Sequence, residues 1–499
     1  MSRYADWKAP KIDGESLLWP EPQRVVADLA ANRAALDASA VAIQNKPLSE
    51  WRRQTRLAVI GDPTKPVIAT GHQIELYHPG VWIKNVLLDA VARKTGAVAL
   101  HVAVDTDSPK HLQLRWPGGA IDASDDVLLK TGEWSGQVAQ PSVRHLNKLL
   151  GRLSDAEETW SFTASTDAFR KALLLNHDED ARLPQYLLDA AKAVDESLGL
   201  CYETRLLSDL IRLPAYFALV HHIAADIERY AAAYNAALAD YRDENDIDSP
   251  SRPMPDLRID DDTIELPFWF DRLDTGDRSR GVVVRGDCGG VAGRWHLLAD
   301  EACFAFDPTL PGDAAADRLA EFCRANQIRL TPRALTLTTF LRLMVTDQFV
   351  HGIGGGRYDQ VTDRILDSYF GIPAPAFAVT TGTLYFPDAG ERDPACVPCL
   401  VNEGHRLRHN VIDKHAFLGR ITSSPRRSAE RKAAYVAMHG SLQTAVPASP
   451  TLAEWRERLA TAVERRDREA VLFDRELLFA IQPRERLQML IDRVRGQVA

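Results

Sequence analysis

Apolar positions along the chain follow several rhythms. They are continuous from Val67 to Ala69, recur at helical spacing from Val81 to Val91, and are nearly continuous again from Ala97 to Val104. A short apolar run, a helical stretch and a second apolar run predict a buried strand, a helix and a parallel strand, one βαβ unit. From about 165 to 242 the rhythm is helical, carried by Leu187-Leu188, Ala191, Val194, Leu198, Leu206-Leu207 and Leu210-Ile211. Asp243 to Pro255 is acidic with three prolines and reads as a connector. Thr263 to Phe270 and Gly281 to Arg285 then predict strands, with a hairpin or meander through Arg294-Trp295-His296-Leu297. Near the end, Leu452, Trp455, Leu459 and Val463 predict one helix, and Leu487, Leu490, Ile491 and Val494 after Pro483 predict a second, together a hairpin.

These elements predict an α/β protein with a core built around this βαβ unit, a helical insert and a helical C-terminal hairpin. The boundaries are an N-terminal arm at 1–60, the first part of the core at 61–160, a helical insert and connector at 161–255, the second part of the core at 256–390, and a basic loop with a helical region at 391–499. A chain of 499 residues has room for several domains and a large core.

The first strand-to-helix passage carries the densest chemistry. It reads Thr70-Gly71-His72-Gln73, then Glu75-Leu76-Tyr77-His78-Pro79-Gly80, with Lys84 and Asn85 about a turn further on. Gly71 and Gly80 permit close backbone approach, a helix starting near Pro79 or Gly80 offers free N–H groups, and His72 and His78 add donors, so a phosphate is the natural guest. The alternative is a helix-capping turn with two structurally satisfied histidines. Neither Gly-x-Gly-x-x-Gly nor Gly-Lys-Ser/Thr is present here. The next strand ends at Asp105-Thr106-Asp107, bringing Asp105 and Asp107 towards His72 as candidate general bases or Mg²⁺ partners, or else as solvated loop acids.

A second constellation runs from Arg333 to Phe370. His351-Gly352-Ile353-Gly354-Gly355-Gly356-Arg357-Tyr358-Asp359 places four glycines in five positions beside His, Arg, Tyr and Asp. Such a loop can turn its N–H groups inward as an anion-binding nest. His72 and the Gly354–Gly356 loop are expected in one cleft, because ligands collect outside the carboxyl ends of parallel strands.

Charge and cysteine usage narrow the classes. A net charge of −9 without a long Lys/Arg block argues against nucleic-acid binding, and neither an export leader nor a membrane-length apolar run is present, so a cytoplasmic protein is expected. Cys201, Cys288, Cys303 and Cys323 are scattered, which suggests reduced thiols. Cys396 and Cys399 with His405 and His409 have zinc-ligand types, but the gap between the pairs is short and the main reading is a thiol pair in a basic loop. His221-His222 follows an apolar helical face and reads as structural.

The first segment, from Thr70-Gly71-His72-Gln73 through Asp105-Thr106-Asp107 to His111, resembles the opening nucleotide-fold segment of the cysteine-adding enzymes of bacillithiol biosynthesis. The run ending His351-Gly352-Ile353-Gly354-Gly355 resembles that family's later strand and glycine turn. The arrangement of His72, Gln73, Pro79 and Lys84 is also similar to WbqC-like proteins. The likeness spans under a quarter of the chain. It departs at Lys84, which is out of the family's lysine register, and at Thr106, where the family has a histidine between its acids. The resemblance implies a Rossmann-like nucleotide-fold core related to nucleotidyltransferases, with a helical coiled-coil region and a ligase-like or transferase-like chemistry. The expectation is therefore a ligase or transferase acting on a small amine, thiol or sugar-type substrate with a nucleotide or phosphorylated ligand, with Mg²⁺ as an accompanying ion. The alternative is a non-catalytic ligand-binding or assembly protein that keeps the pocket. A homodimer through the helical C-terminal region fits either.

Overall fold

The computed structural model describes residues 7–107, 111–122, 143–175, 183–288, 291–387, 389–390 and 397–499. The chain divides into two compact units: residues 1–115, 120–385 and 475–499 make up the first, and 116–119 with 386–474 the second.

The first unit is built on a six-stranded sheet. Its strands lie in the order Ser16–Trp19, Ala378–Gly382, Gln348–His351, Val67–Gln73, Val98–Val104 and Glu203–Leu206. Only Ser16–Trp19 runs antiparallel to its neighbour; the other contacts are parallel. The predicted βαβ unit is present, with Val67 paired to Val98 and Gln73 to Val104 across the register and the helix Pro79–Thr95 between them. Gly71, His72 and Gln73 belong to the strand itself rather than to the turn after it.

The order of the strands explains where a ligand can go. From Val67–Gln73 the chain crosses to Val98–Val104 on one side, whereas from Gln348–His351 it crosses through the helix Ile353–Ser368 to Ala378–Gly382 on the other. These two strands are neighbours, so their carboxyl ends flank a topological switch point, where a crevice opens above the sheet.

Three strands of this sheet escaped the hydrophobic pattern: Ala378–Gly382 inside it and the two at its edges. Ser16–Trp19 makes the expected N-terminal arm an edge of the sheet, and Glu203–Leu206 interrupts the expected helical insert to form the opposite edge. Both are four residues long and half-buried, too short to impose a period on their surroundings. A second sheet is antiparallel, in the order Ala302–Ala305, Val291–Ala299, Arg278–Cys288, Thr263–Arg272 and Ile328–Pro332, and contains the expected meander. The meander also corrects the reduced-thiol expectation. It doubles back so that Cys288 and Cys303 form a disulfide, their Cα atoms 6.0 Å apart.

The helix Pro79–Thr95 is buried almost all round, packed on the sheet and on the last helix, Arg484–Val498. That last helix buries Leu487, Leu490, Ile491 and Val494 as its spacing predicts. It belongs to the first unit, while Pro450–Leu472 belongs to the second. In the second unit Pro450–Leu472 packs on Val397–Asn410, where Trp455 Nε1 donates to the Leu400 carbonyl at 2.7 Å.

Buried arginines in the core are paired. Asp347, at the root of Gln348–His351, accepts from Arg52 and Arg56 at 2.6 and 2.7 Å, and from the Val67 N–H at 2.8 Å. One carboxylate thus ties the starts of both central strands to the helix Leu48–Ile60. Among the described residues no helix is long and apolar enough to cross a membrane.

Candidate functional site

A cavity of about 340 Å³ opens at the switch point. Gly71, His72 and Gln73 from one strand end, His351, Gly352 and Gly355 from the other, and Asp107 all line it. The two constellations expected to share a cleft do so.

The His351 side is built in layers. His351 Nε2 lies 2.9 Å from Asp359 Oδ2, which also accepts from Arg342 Nη1 at 2.6 Å, while Asp359 Oδ1 accepts from Thr338 Oγ1 at 2.6 Å. Burial opposes the charge on Asp359, but the Arg342 guanidinium and the His351 ring overcome it and hold the carboxyl well below the usual range. Nε2 faces the ionised Asp359, so Nδ1 is the ring nitrogen left without a partner among the described residues. A Cβ on Gly355 would sit 2.9 Å from that Nδ1, closer than real side chains come. Glycine at 355 keeps the basic nitrogen uncovered.

The glycines therefore act differently from the expected nest. Gly354, Gly355 and Gly356 lie in the first turn of the helix Ile353–Ser368, and none has a positive φ. Gly354 is exposed and stands outside the cavity. Gly356 is buried because a Cβ would meet Val379 at 2.5 Å and Trp7 at 2.8 Å. Arg357 points away and donates to the Trp7 carbonyl at 2.5 Å. Tyr358 lines the cavity, its hydroxyl pushed up to about 12 by burial and by neighbouring Asp359. Asp359 stands behind His351 and not in the cavity wall.

The His72 side is built otherwise. The His72 ring packs at 4.3 Å from the Tyr77 ring and 4.5 Å from the His101 ring, and its Nδ1 lies 3.3 Å from the Gln73 carbonyl. Its Nε2, both ring nitrogens of His101 and the Tyr77 hydroxyl are buried without a hydrogen-bond partner. Burial, with Lys84 adding to it, holds both rings neutral: His72 lies well below its ordinary value and His101 at about 3. Lys84 lines the cavity and is buried, and burial pushes its amine down to about 7 against a weak opposing pull from Glu75.

The third wall was not foreseen. Trp269 and Arg278 come from the antiparallel sheet, with Arg333, Leu337 and Thr338 from the segment that follows it. Arg278 holds Asp271 through Nε at 2.7 Å and Asp107 through Nη1 at 3.1 Å, and Asp107 also accepts from Gln73 Nε2 at 2.7 Å. Arg333 Nη1 donates to buried Glu265 at 2.5 Å, and both guanidinium groups lie within 6 Å of the Trp269 ring centroid. Arg333 marked the start of its constellation but received no role.

Other expected members stand elsewhere. His78 caps the helix Pro79–Thr95, its Nδ1 accepting from the Gly80 N–H at 3.1 Å, which is the structural alternative weighed for it. Arg475 comes up to Gly80, so a guanidinium and not an anion faces this helix start. Asn85 is turned into the core, 3.4 Å from Asp195 and 3.3 Å from Tyr202. Asp105 accepts from the Ser208 N–H at 2.9 Å and borders a separate cavity of about 740 Å³. Its catalytic assignment is corrected by this placement: just past the strand end the chain turns, so that Thr106 and Asp107 line the switch-point cavity and Asp105 lines the other.

Metal-binding expectations find little support. Cys396 lies outside the described residues, Cys399 is disulfide-bonded and so cannot ligate zinc as a thiolate, and His405 is exposed; His409 belongs to the same helix, Val397–Asn410. Among the described residues no three His, Cys, Asp or Glu side chains are disposed to hold a metal ion. His221 and His222 are structural, accepting from the Asp307 and Gln44 N–H groups at 3.4 and 3.2 Å.

No family model matches this sequence, and no curated protein matches it.

Proposed function

We propose that the chain is a ligase or transferase that joins a small amine- or thiol-bearing molecule to a nucleotide-linked or phosphorylated partner in this cavity. The observation that carries the reading is the His351–Asp359 pair with its free Nδ1 facing the cavity across Gly355. In such a step the nucleophile's N–H or S–H proton passes to His351 Nδ1 as its nitrogen or sulfur bonds to the electrophilic carbon. The leaving group departs with the bonding electrons, and Asp359 stabilises the imidazolium. Arg333, whose remaining N–H groups have no partner among the described residues, would offset the leaving group's negative charge. Trp269 offers a flat apolar face for a base or sugar ring. Asp107 is the lining carboxylate among the described residues and already bonds Gln73 and Arg278, so Mg²⁺ would have to enter largely on a nucleotide's own phosphates. The resemblance at residues 70–111 and 351–355 agrees with amine-to-amino-acid condensation without naming the substrate.

The test pairs nucleophiles (cysteine, other amino acids, amino sugars) with nucleotides and sugar phosphates, first by thermal shift and then by mass spectrometry of reacted pairs. A product formed by the parent chain, lost by a factor of about 100 or more in His351→Ala and partly restored by added imidazole, supports the reading. Turnover unchanged in His351→Ala, or no product from any pair, overturns it.

A further inference from the structure

Lys84 breaks a rule that the rest of the core obeys. Arg52 and Arg56 are held by Asp347, Arg342 by Asp359 and Asp363, Arg278 by Asp271, and Arg333 by Glu265. Asp89, on the same helix as Lys84 and just over one turn on, is held by Arg93 and Arg495, each at 2.8 Å. Lys84 is only 5% exposed, and among the described residues it has neither an ion pair nor a hydrogen bond. A buried cation with no carboxylate in contact is costly, and here it lines a cavity.

The groups around it are equally unpaired. His72 Nε2, His101 Nδ1 and Nε2 and the Tyr77 hydroxyl are four buried polar atoms without partners among the described residues, on rings that pack together. Folded proteins leave few such atoms, and a cluster of them marks a place that something polar fills. The charged and titratable groups facing Lys84 are Glu75, His72, His78 and His101; Glu75 provides the negative one, and the histidines are neutral.

We propose that the Lys84–His72 end of the cavity is an oxyanion subsite, which binds the phosphate or carboxylate of the substrate and takes up about one proton as it fills. It rests on the reading of this cavity as a substrate site and adds which end of the substrate enters first. Empty, the subsite holds an amine whose burial brings it down to about 7, so near pH 8.5 most molecules carry Lys84 uncharged. An arriving anion supplies the missing counter-charge and restores the ammonium. The proton comes from the buffer, and binding therefore weakens as pH rises above the amine's value.

The experiment is calorimetric titration of the full chain near pH 8.5 with sulfate and acetate, which do not titrate there, and with inorganic phosphate. Each is run in two buffers of different ionisation enthalpy. Sulfate or phosphate binding with close to one proton taken up is expected if a tetrahedral oxyanion is preferred, and acetate binding with the same uptake if a carboxylate is. Lys84→Met should weaken binding at least tenfold and abolish the uptake. Lys84→Arg should keep binding within a few-fold and also abolish the uptake, because a guanidinium stays charged throughout. Binding that survives Lys84→Met, proton uptake that survives Lys84→Arg, or no binding by any of the three anions overturns the subsite. These outcomes separate it from the ligase reading. Loss of anion binding with His351-dependent turnover intact removes the subsite alone, whereas proton-linked anion binding without turnover in any pair removes the ligase reading alone.

Discussion

The two strand ends that meet at the cavity are built in opposite ways. At His351 each ring and carboxylate contact is made in advance: Thr338, Arg342 and His351 converge on Asp359. At His72 the rings are packed but their polar atoms face one another unpaired, with Lys84 beside them. The first pattern resists movement and fixes the direction of a lone pair. The second pays for burial without compensation, and such a debt persists where a ligand settles it. A cavity with one finished wall and one unfinished wall gives the substrate an orientation before chemistry begins.

The largest expected effect tests the finished wall. Asp359→Asn leaves Arg342 buried with only Asp363 as an ionised partner, and unfolding by urea should show a loss of about 3 kcal/mol, the usual cost of breaking a buried pair. A loss below about 1 kcal/mol would mean that the two strand ends do not differ as described.

The unfinished wall should respond to pH with the opposite sense. The folded-state amine of Lys84 lies at about 7 against an ordinary 10.5. Between those values the unfolded chain holds a proton that the folded chain does not, so the cost of burying Lys84 shrinks as pH rises and is full below about 7. Lys84→Met lacks this dependence. Its stability advantage over the parent chain should fall by about 1.4 kcal/mol per pH unit between pH 7.5 and 9.5, measured as paired urea midpoints. A difference that stays flat over this window would show that Lys84 is not held in an unfavourable setting.

The smallest effect sharpens the account of the glycines. Gly354 and Gly355 share one helical turn, but only Gly355 faces His351. Gly354→Ala should stabilise the chain by about 0.5 to 1 kcal/mol through helix propensity, with turnover unchanged. Gly355→Ala should gain nothing in stability and lose turnover. Equal behaviour of the two variants would remove the role assigned to Gly355.

Much of this arrangement was legible before any coordinates. Apolar runs long enough to be buried on both faces announced Val67–Gln73 and Val98–Val104, and their polar tails pointed to Gly71, His72, Gln73 and Asp107. Short half-buried strands such as Glu203–Leu206 left no such trace. Asp105 and Asp107 look equivalent in sequence, yet their side chains serve different cavities. Gly354 to Gly356 read as a loop because composition does not reveal that close approach to His351 at Gly355, and to Val379 and Trp7 at Gly356, is what excludes side chains at those two positions. Trp269, Arg278 and Arg333 were hidden for a third reason: a second sheet brings them in, and the order of sheets in space is not a local property of the chain.

The parallel pairing of the two central strands also has a consequence in time. Thr70 donates its hydroxyl proton to the carbonyl of Val350, 280 positions along the chain. Contacts of such long reach form only after much of the intervening chain has collapsed, because closing so large a loop is rewarded late. The cavity is thus among the last features to exist during folding, and a half-folded chain can carry most of its helices without it. Recovery of anion binding after dilution from denaturant becomes a clock for completion, and the emission of Trp269 in the cavity wall is a natural hand on that clock.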